Sequence, residues 1–152
     1  MIRQFKNFLF GKLSGNAGEY YDGTGSFSTP TGVVNKYKVG VTIDGGGSAI
    51  STGVKGYTSI PITGTITKVR LLADQNGSAV MDIWKDTFAN YPPTVADTIT
   101  AAAKPTLVAA DSYEDTTLTG WTIAVTAGDV LGFNVDSAAT ITRLTLELEI
   151  TV

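Results

Sequence analysis

The sequence has no cysteine and no histidine among its 152 residues. The first absence excludes disulfides, thiolate nucleophiles and cysteine zinc sites. The second removes imidazole metal ligands, histidine triads and the side chain most often used for proton transfer at neutral pH. Any enzyme chemistry would have to run on carboxylates, lysines or hydroxyls. Charge is also scarce, at 16% of residues and a net −3. That balance gives no field to draw a polyanion, and no aromatic residues interleave with a basic stripe, so no nucleic-acid partner is expected. No run of about 18 apolar residues occurs, so no membrane span is expected. The opening MIRQFKNFLFGKL is too short and too interrupted by charge for a signal peptide, which predicts a chain made and used without Sec export. Its length is one domain's worth, enough to bury roughly two-thirds of the surface that the unfolded chain exposes.

The charge that is present is unevenly placed. Residues 1–38 carry Arg3, Lys6, Lys12, Lys36 and Lys38 against Glu19 and Asp22, which leaves the rest at −6. This asymmetry predicts an arm and a body. In the arm, Ile2, Phe5, Phe8, Leu9 and Leu13 recur at spacings of three and four beside Arg3, Lys6 and Lys12. That pattern fits a short amphipathic helix or an extended apolar arm. It would pack on the chain's own body or dock on another subunit; three basic residues and so short an apolar face would hold a membrane surface only weakly. SGNAGEYYDGTGSFSTPTGVVN follows without sustained periodicity and reads as a linker, with Tyr20, Tyr21 and Phe27 as the residues that would pin it.

From Tyr37 the period changes to two. Leu144, Leu146, Leu148, Ile150 and Val152 alternate with Thr145, Glu147, Glu149 and Thr151, which predicts a long strand with one buried and one wet face. ITKVRLLAD and SAVMDIWKD predict two strands, Ile66–Asp74 and Ser78–Asp86, paired as a hairpin through Asn76-Gly77. A calcium loop at Asp74, Asn76 and Ser78 lacks the remaining ligands and the distal bidentate acid, so no metal is expected. Pro92-Pro93 opens a long connection ending near Pro105, with a short helical turn in TVADTITAAA; binding surfaces favour such connections, and Tyr91 is its candidate. In GWTIAVTAGDVLGFNVDS, Trp121, Ile123 and Val125 take one side, and Leu131, Phe133 and Val135 continue beyond the turn. Asp129 then reads as a turn residue bonding nearby backbone N–H groups, and Asp136-Ser137 as the end of the next strand. About eight threonine-rich strands predict an all-β, antiparallel β-sandwich. One long crossover and no Cys pair favour a jelly roll over an immunoglobulin-like arrangement.

The run VRLLADQNGSAVMDIWKDTFANYPPTVADTITAAAKPTL, followed by LTGWTIAVTAGDVLGFNVDSAATITRLTLELEI, resembles a jelly-roll module of tailed-bacteriophage virion proteins. The resemblance spans Val69 to Ile150. Such modules end tail-fibre or appendage proteins and also stand alone as capsid decoration, or cement, proteins. A tail fibre normally places the module after a long trimeric shaft, whereas here 1–36 reads as a docking arm and linker ahead of a jelly-roll domain at 37–152. The resemblance therefore implies a homotrimer on the outer capsid surface, stabilising the shell. Its partner would be the major capsid protein or a neighbouring copy, bound through Ile2, Arg3, Phe5, Lys6, Phe8, Leu9, Phe10, Lys12, Leu13, Tyr20 and Tyr21. It implies no catalytic residues and no cofactor.

Two other readings use the same residues. A receptor- or carbohydrate-binding tail-fibre or baseplate subunit would stack a host glycan on Tyr91, Trp84 or Trp121, although both tryptophans sit inside strand patterns that suit a core. A carboxylate hydrolase would need two of Asp82, Asp86, Asp111, Glu114 and Asp115 at a defined separation, whereas DSYED reads more simply as a solvated loop. The protein is expected not to be an enzyme.

Overall fold

The computed structural model describes residues 20–21, 27–28 and 34–152. The chain divides into two units, Met1–Val34 and Asn35–Val152, each taken by itself. In the first, strand β1 (Tyr20–Tyr21) pairs antiparallel with β2 (Phe27–Ser28), Tyr20 opposite Ser28. The second unit is all-β, with strands β3 (Lys36–Asp44), β4 (Gly53–Ser59), β5 (Gly64–Thr87), β6 (Thr106–Asp115), β7 (Ala124–Val125), β8 (Asp129–Ala139) and β9 (Arg143–Thr151).

The alternation in β9 sets the frame. Leu144, Leu146, Leu148 and Ile150 are fully buried, while the residues between them face outward; Val152, expected on the same buried face, is exposed because the strand ends at Thr151. β9 lies between β3 and the first half of β5, with Leu148 opposite Val39 on one side and Val69 on the other. β8 lies likewise between β4 and the second half of β5, with Gly132 opposite Tyr57 and Trp84. All of these pairings are antiparallel.

The expected hairpin at Asn76-Gly77 does not form. Ile66–Asp74 and Ser78–Asp86 belong to one 24-residue strand that leaves β9 after Ala73 and joins β8 from Ser78. Neither Asn76 nor Gly77 adopts the positive φ that a tight hairpin turn requires. Gly77 serves close approach instead: a Cβ there would stand 2.5 Å from the Ile141 side chain and 2.6 Å from the Ala139 carbonyl oxygen. β6 bends alongside, with register shifts on either side of Gly77. Its own bend falls at Ala109, at φ 47°, where the Ala109 N–H donates to the Ser78 hydroxyl at 3.1 Å. Strands that change sheets through bulges form the corners of a sandwich.

Counting β5 and β6 as two halves each, and setting aside the two-residue β7 that pairs with the start of β5, gives eight strands in two sheets. The front sheet runs β3, β9, first half of β5, second half of β6; the back sheet runs β4, β8, second half of β5, first half of β6. In chain order these are strands one, eight, three, six and two, seven, four, five, the double Greek key of a jelly roll. One core joins Ile66, Val69, Leu71, Leu146 and Leu148 of the front sheet to Met81, Ile83, Leu131 and Phe133 of the back sheet.

Smaller differences have local causes. Thr106–Ala109 is the start of a continuous β6, and Thr116–Leu118 is a turn held by the Asp115 carboxylate. Trp121 and Val125 are buried as the alternation predicts, but Ile123 is 37% exposed because only Ala124–Val125 pairs with β5 there. β8 continues past Asp136 to Ala139, paired with β5 through Ser78.

Candidate functional site

The alternation of β5 puts Asp82 on the outer face of the back sheet, yet the residue is fully buried. The connection between β5 and β6 covers it. The Thr98 and Thr100 hydroxyls donate to Asp82 Oδ1 at 2.6 and 2.7 Å, as does the Ile83 N–H at 2.8 Å. The Trp84 indole donates to Oδ2 at 3.0 Å, and Lys104 Nζ lies 3.0 Å from the same oxygen. Burial pushes the Asp82 carboxyl up, but the bonds from Thr98, Thr100, Lys104 and Trp84 outweigh it and hold the group below its ordinary value. Lys104 also reaches Asp136 at 2.6 Å, and this bond, opposed by burial and joined by Asp82, raises its pKa. Backbone bonds Ile99 N–H to Ile83 C=O and Met81 N–H to Pro105 C=O fix the same connection to the edge of β5. Among the described residues no buried side-chain polar atom lacks a partner.

Beside this anchor the back sheet carries a shelf of aromatic rings. Tyr57, Gly132 and Trp84 stand side by side across β4, β8 and β5. A Cβ on Gly132 would come 3.1 Å from the Tyr57 ring and 3.3 Å from Pro93, so the glycine lets both lie close to the sheet. Tyr91 meets Tyr57 edge-on at 5.0 Å between centroids, and Phe88 stacks near Tyr91 at 6.5 Å with 25° between planes. Phe88 is 76% exposed, Tyr91 50% and Tyr57 40%. The loop beneath is held by the Asp86 carboxylate, which accepts from the Thr87 N–H and from Asn90 Nδ2, and by a reciprocal cap between Thr94 and Asp97.

The front sheet presents a different outer face. Lys36 pairs with Glu149 at 2.8 Å and Lys38 with Glu147 at 2.7 Å, while Arg70 and Lys68 both meet Glu114. The Arg70 hydrogen bond holds the Glu114 carboxyl below its ordinary value, and the Lys36 bond does the same for Glu149. Charges set opposite one another across strands leave this face nearly self-neutralised.

Of the residues expected to dock on a partner, Ile2, Arg3, Phe5, Lys6, Phe8, Leu9, Phe10, Lys12 and Leu13 lie outside the described residues. Tyr20 and Tyr21 form β1. Of the carboxylates weighed for hydrolysis, Asp82 anchors the connection, Asp86 holds the 88–90 turn, Glu114 pairs with Arg70, Asp115 caps Thr117 and Leu118, and Asp111 accepts from the Ser112 hydroxyl. Asp74 accepts from the Thr142 hydroxyl and the Thr142 and Arg143 N–H groups, closing the turn before β9. Asp129 accepts from the Thr126 N–H at 2.9 Å, the turn bond its sequence predicts. Trp121 is buried with its indole donating to the Ala103 carbonyl, and Trp84 is half-buried on Asp82. Tyr91 is exposed as its place in a long connection suggests. Tyr57 and Phe88, which join it, carry no signal in the sequence beyond being aromatic.

No family model matches the chain, and no curated protein does. Among solved structures, a chain from "Structure of infectious bursal disease virus Gx strain" aligns over 86% of this chain at 12% identity, with a TM-score of 0.25. The alignment spans 40% of that chain's length. So low a similarity carries no functional argument, and the fold assignment rests on strand order.

Proposed function

We propose that the chain is a virion structural protein, specifically a capsid decoration protein of a tailed bacteriophage. It binds the outer capsid as a homotrimer, and the arm Met1–Leu13 anchors each copy to the major capsid protein or to a neighbouring subunit. The observation that carries this reading is the division of the chain into an N-terminal unit, Met1–Val34, and a jelly-roll body, Asn35–Val152. The apolar and basic residues expected to dock all fall in the first unit. The phage-module resemblance between Val69 and Ile150 adds the virion setting. The reading assigns no catalytic step: Asp82, Asp86, Glu114 and Asp115 are all held below their ordinary pKa by structural hydrogen bonds, which suits carboxylates that brace turns and strands rather than general acids near neutral pH.

Cryo-electron microscopy of the virion tests it. Threefold clusters on the shell, with Met1–Leu13 lying across capsid subunits, are the expected result. Density confined to a fibre tip or baseplate would replace it with the second reading, a receptor-binding tail subunit. That reading is favoured by the exposed rings of Phe88, Tyr91 and Tyr57.

A further inference from the structure

We infer that the shelf formed by Tyr57, Phe88 and Tyr91 is a carbohydrate-binding site for neutral hexopyranose units of a polysaccharide. The inference gives the second reading a surface and a sugar class, and it concerns the isolated protein whatever its station on a virion. Three rings stand exposed and in contact on one face. A pyranose offers them a matching surface, an apolar face of C–H bonds edged by hydroxyls that donate and accept. The shelf supplies groups for that edge: the Tyr57 and Tyr91 hydroxyls and the Asn90 amide oxygen make no hydrogen bond to another described residue, while the Asn90 amide nitrogen is fixed on Asp86.

Size and charge select this occupant. From the areas that aromatic side chains bury, the exposed parts of the three rings come to about 300–400 Å². A stable protein interface needs about 800 Å² per partner, so the shelf is too small to hold a protein and large enough for one or two sugar rings. The Asn90 and Thr87 bonds keep the Asp86 carboxyl below its ordinary value and therefore ionised, which disfavours phosphates, uronic acids and anionic lipid. The setting is also rigid. The 88–90 turn is tied to Asp86, Pro93 is buried against Gly132, and Thr98 is anchored on Asp82, so a small ligand need not order the loop when it binds.

The test is aromatic NMR of the full chain titrated with maltohexaose, cellohexaose, mannohexaose, galactohexaose and the hexamer of N-acetylglucosamine. Shifts confined to Tyr57, Phe88 and Tyr91 are expected with at least one of them, with affinity on the order of millimolar. Phe88→Ala and Tyr91→Ala should each weaken binding about tenfold; the urea midpoint should stay unchanged for Phe88→Ala, whose side chain is exposed, and fall only slightly for Tyr91→Ala, which loses the edge-on contact with Tyr57. Silence toward the whole panel, binding that survives both substitutions, or shifts located elsewhere would overturn the inference. Ring shifts that depend on protein concentration without sugar would overturn it too, by assigning the shelf to a second copy of the chain.

Discussion

Asp82 shows what a single residue contributes when the chain folds back over it. Its place in SAVMDIWKD makes it an outward residue of a strand, a position that normally meets water. The connection 88–105 turns that position into a buried one and supplies three side-chain partners to the carboxylate, Thr98, Thr100 and Lys104, beside the Trp84 indole of β5 itself. Period-two reading reports which face a side chain takes but not what later covers that face, so the sequence left Asp82 among catalytic candidates. Removing the carboxylate would strand two threonine hydroxyls and an indole N–H, while Lys104 would keep its bond to Asp136. Asp82→Ala should therefore destabilise the body by about 3–5 kcal/mol, read as a lowered urea midpoint. Lys104→Met should cost less, because the threonines and Trp84 still satisfy the carboxylate. A smaller loss for the alanine variant than for the methionine variant would contradict this account. The pH dependence follows from the same group. A carboxyl whose folded pKa lies below its ordinary 3.8 contributes stability that is present above that value and lost as pH falls through the folded one. With no histidine in the chain, the urea midpoint should stay level from about pH 5 to 8 and drop below about pH 4. That acid limb should be shallower in Asp82→Asn.

At the scale of elements, the corner shared by β5 and β6 carries both the largest misreading and the sharpest test. β9 was legible because Leu144 to Ile150 alternate without a break and the strand is buried on one side only. The course of β5 was not, because Asn76-Gly77 signals a hairpin locally whereas Thr140 and Ile141 crowd Gly77 from 63 and 64 residues away in sequence. Local turn chemistry cannot register that approach. The two bends then predict opposite effects of exchanging glycine and alanine. Gly77→Ala would drive a methyl against the Ala139 carbonyl and the Ile141 side chain, for a loss of about 2–3 kcal/mol. Ala109→Gly would relieve a left-handed backbone at an exposed position, for a gain of about 1 kcal/mol. Urea denaturation of both variants checks the signs. A stabilising Gly77→Ala would mean that the corner is looser than drawn. The shelf was half legible for a related reason: Tyr91 stood out within its long connection, but Tyr57 reaches it only because β4 and the connection meet over Gly132.

Across the whole molecule, the proposal separates folding from attachment, and the two should respond differently to truncation. The body closes on itself through β3 and β9, and its last backbone bond runs from the Val152 N–H to the Asn35 carbonyl at 3.0 Å. A fragment beginning at Asn35 keeps that bond and should unfold cooperatively, with a urea midpoint close to that of the full chain. In the proposal, attachment rests on the other unit. Burying Ile2, Phe5, Phe8, Leu9, Phe10 and Leu13 yields a free energy similar in size to the entropy lost when thirteen residues become ordered, so one arm binds marginally. Three arms linked through trimeric bodies make the second and third contacts intramolecular and the attachment durable. Deleting Met1–Leu13 should then leave the midpoint of the body unchanged while abolishing its occupancy on purified capsids and the added heat resistance of the shell. Occupancy should also fall steeply if trimers are diluted with arm-deleted copies, since each lost arm removes a linked contact. A proportional decline would indicate independent arms and remove the reason for a trimer. Full occupancy without any arm would assign attachment to the jelly-roll body.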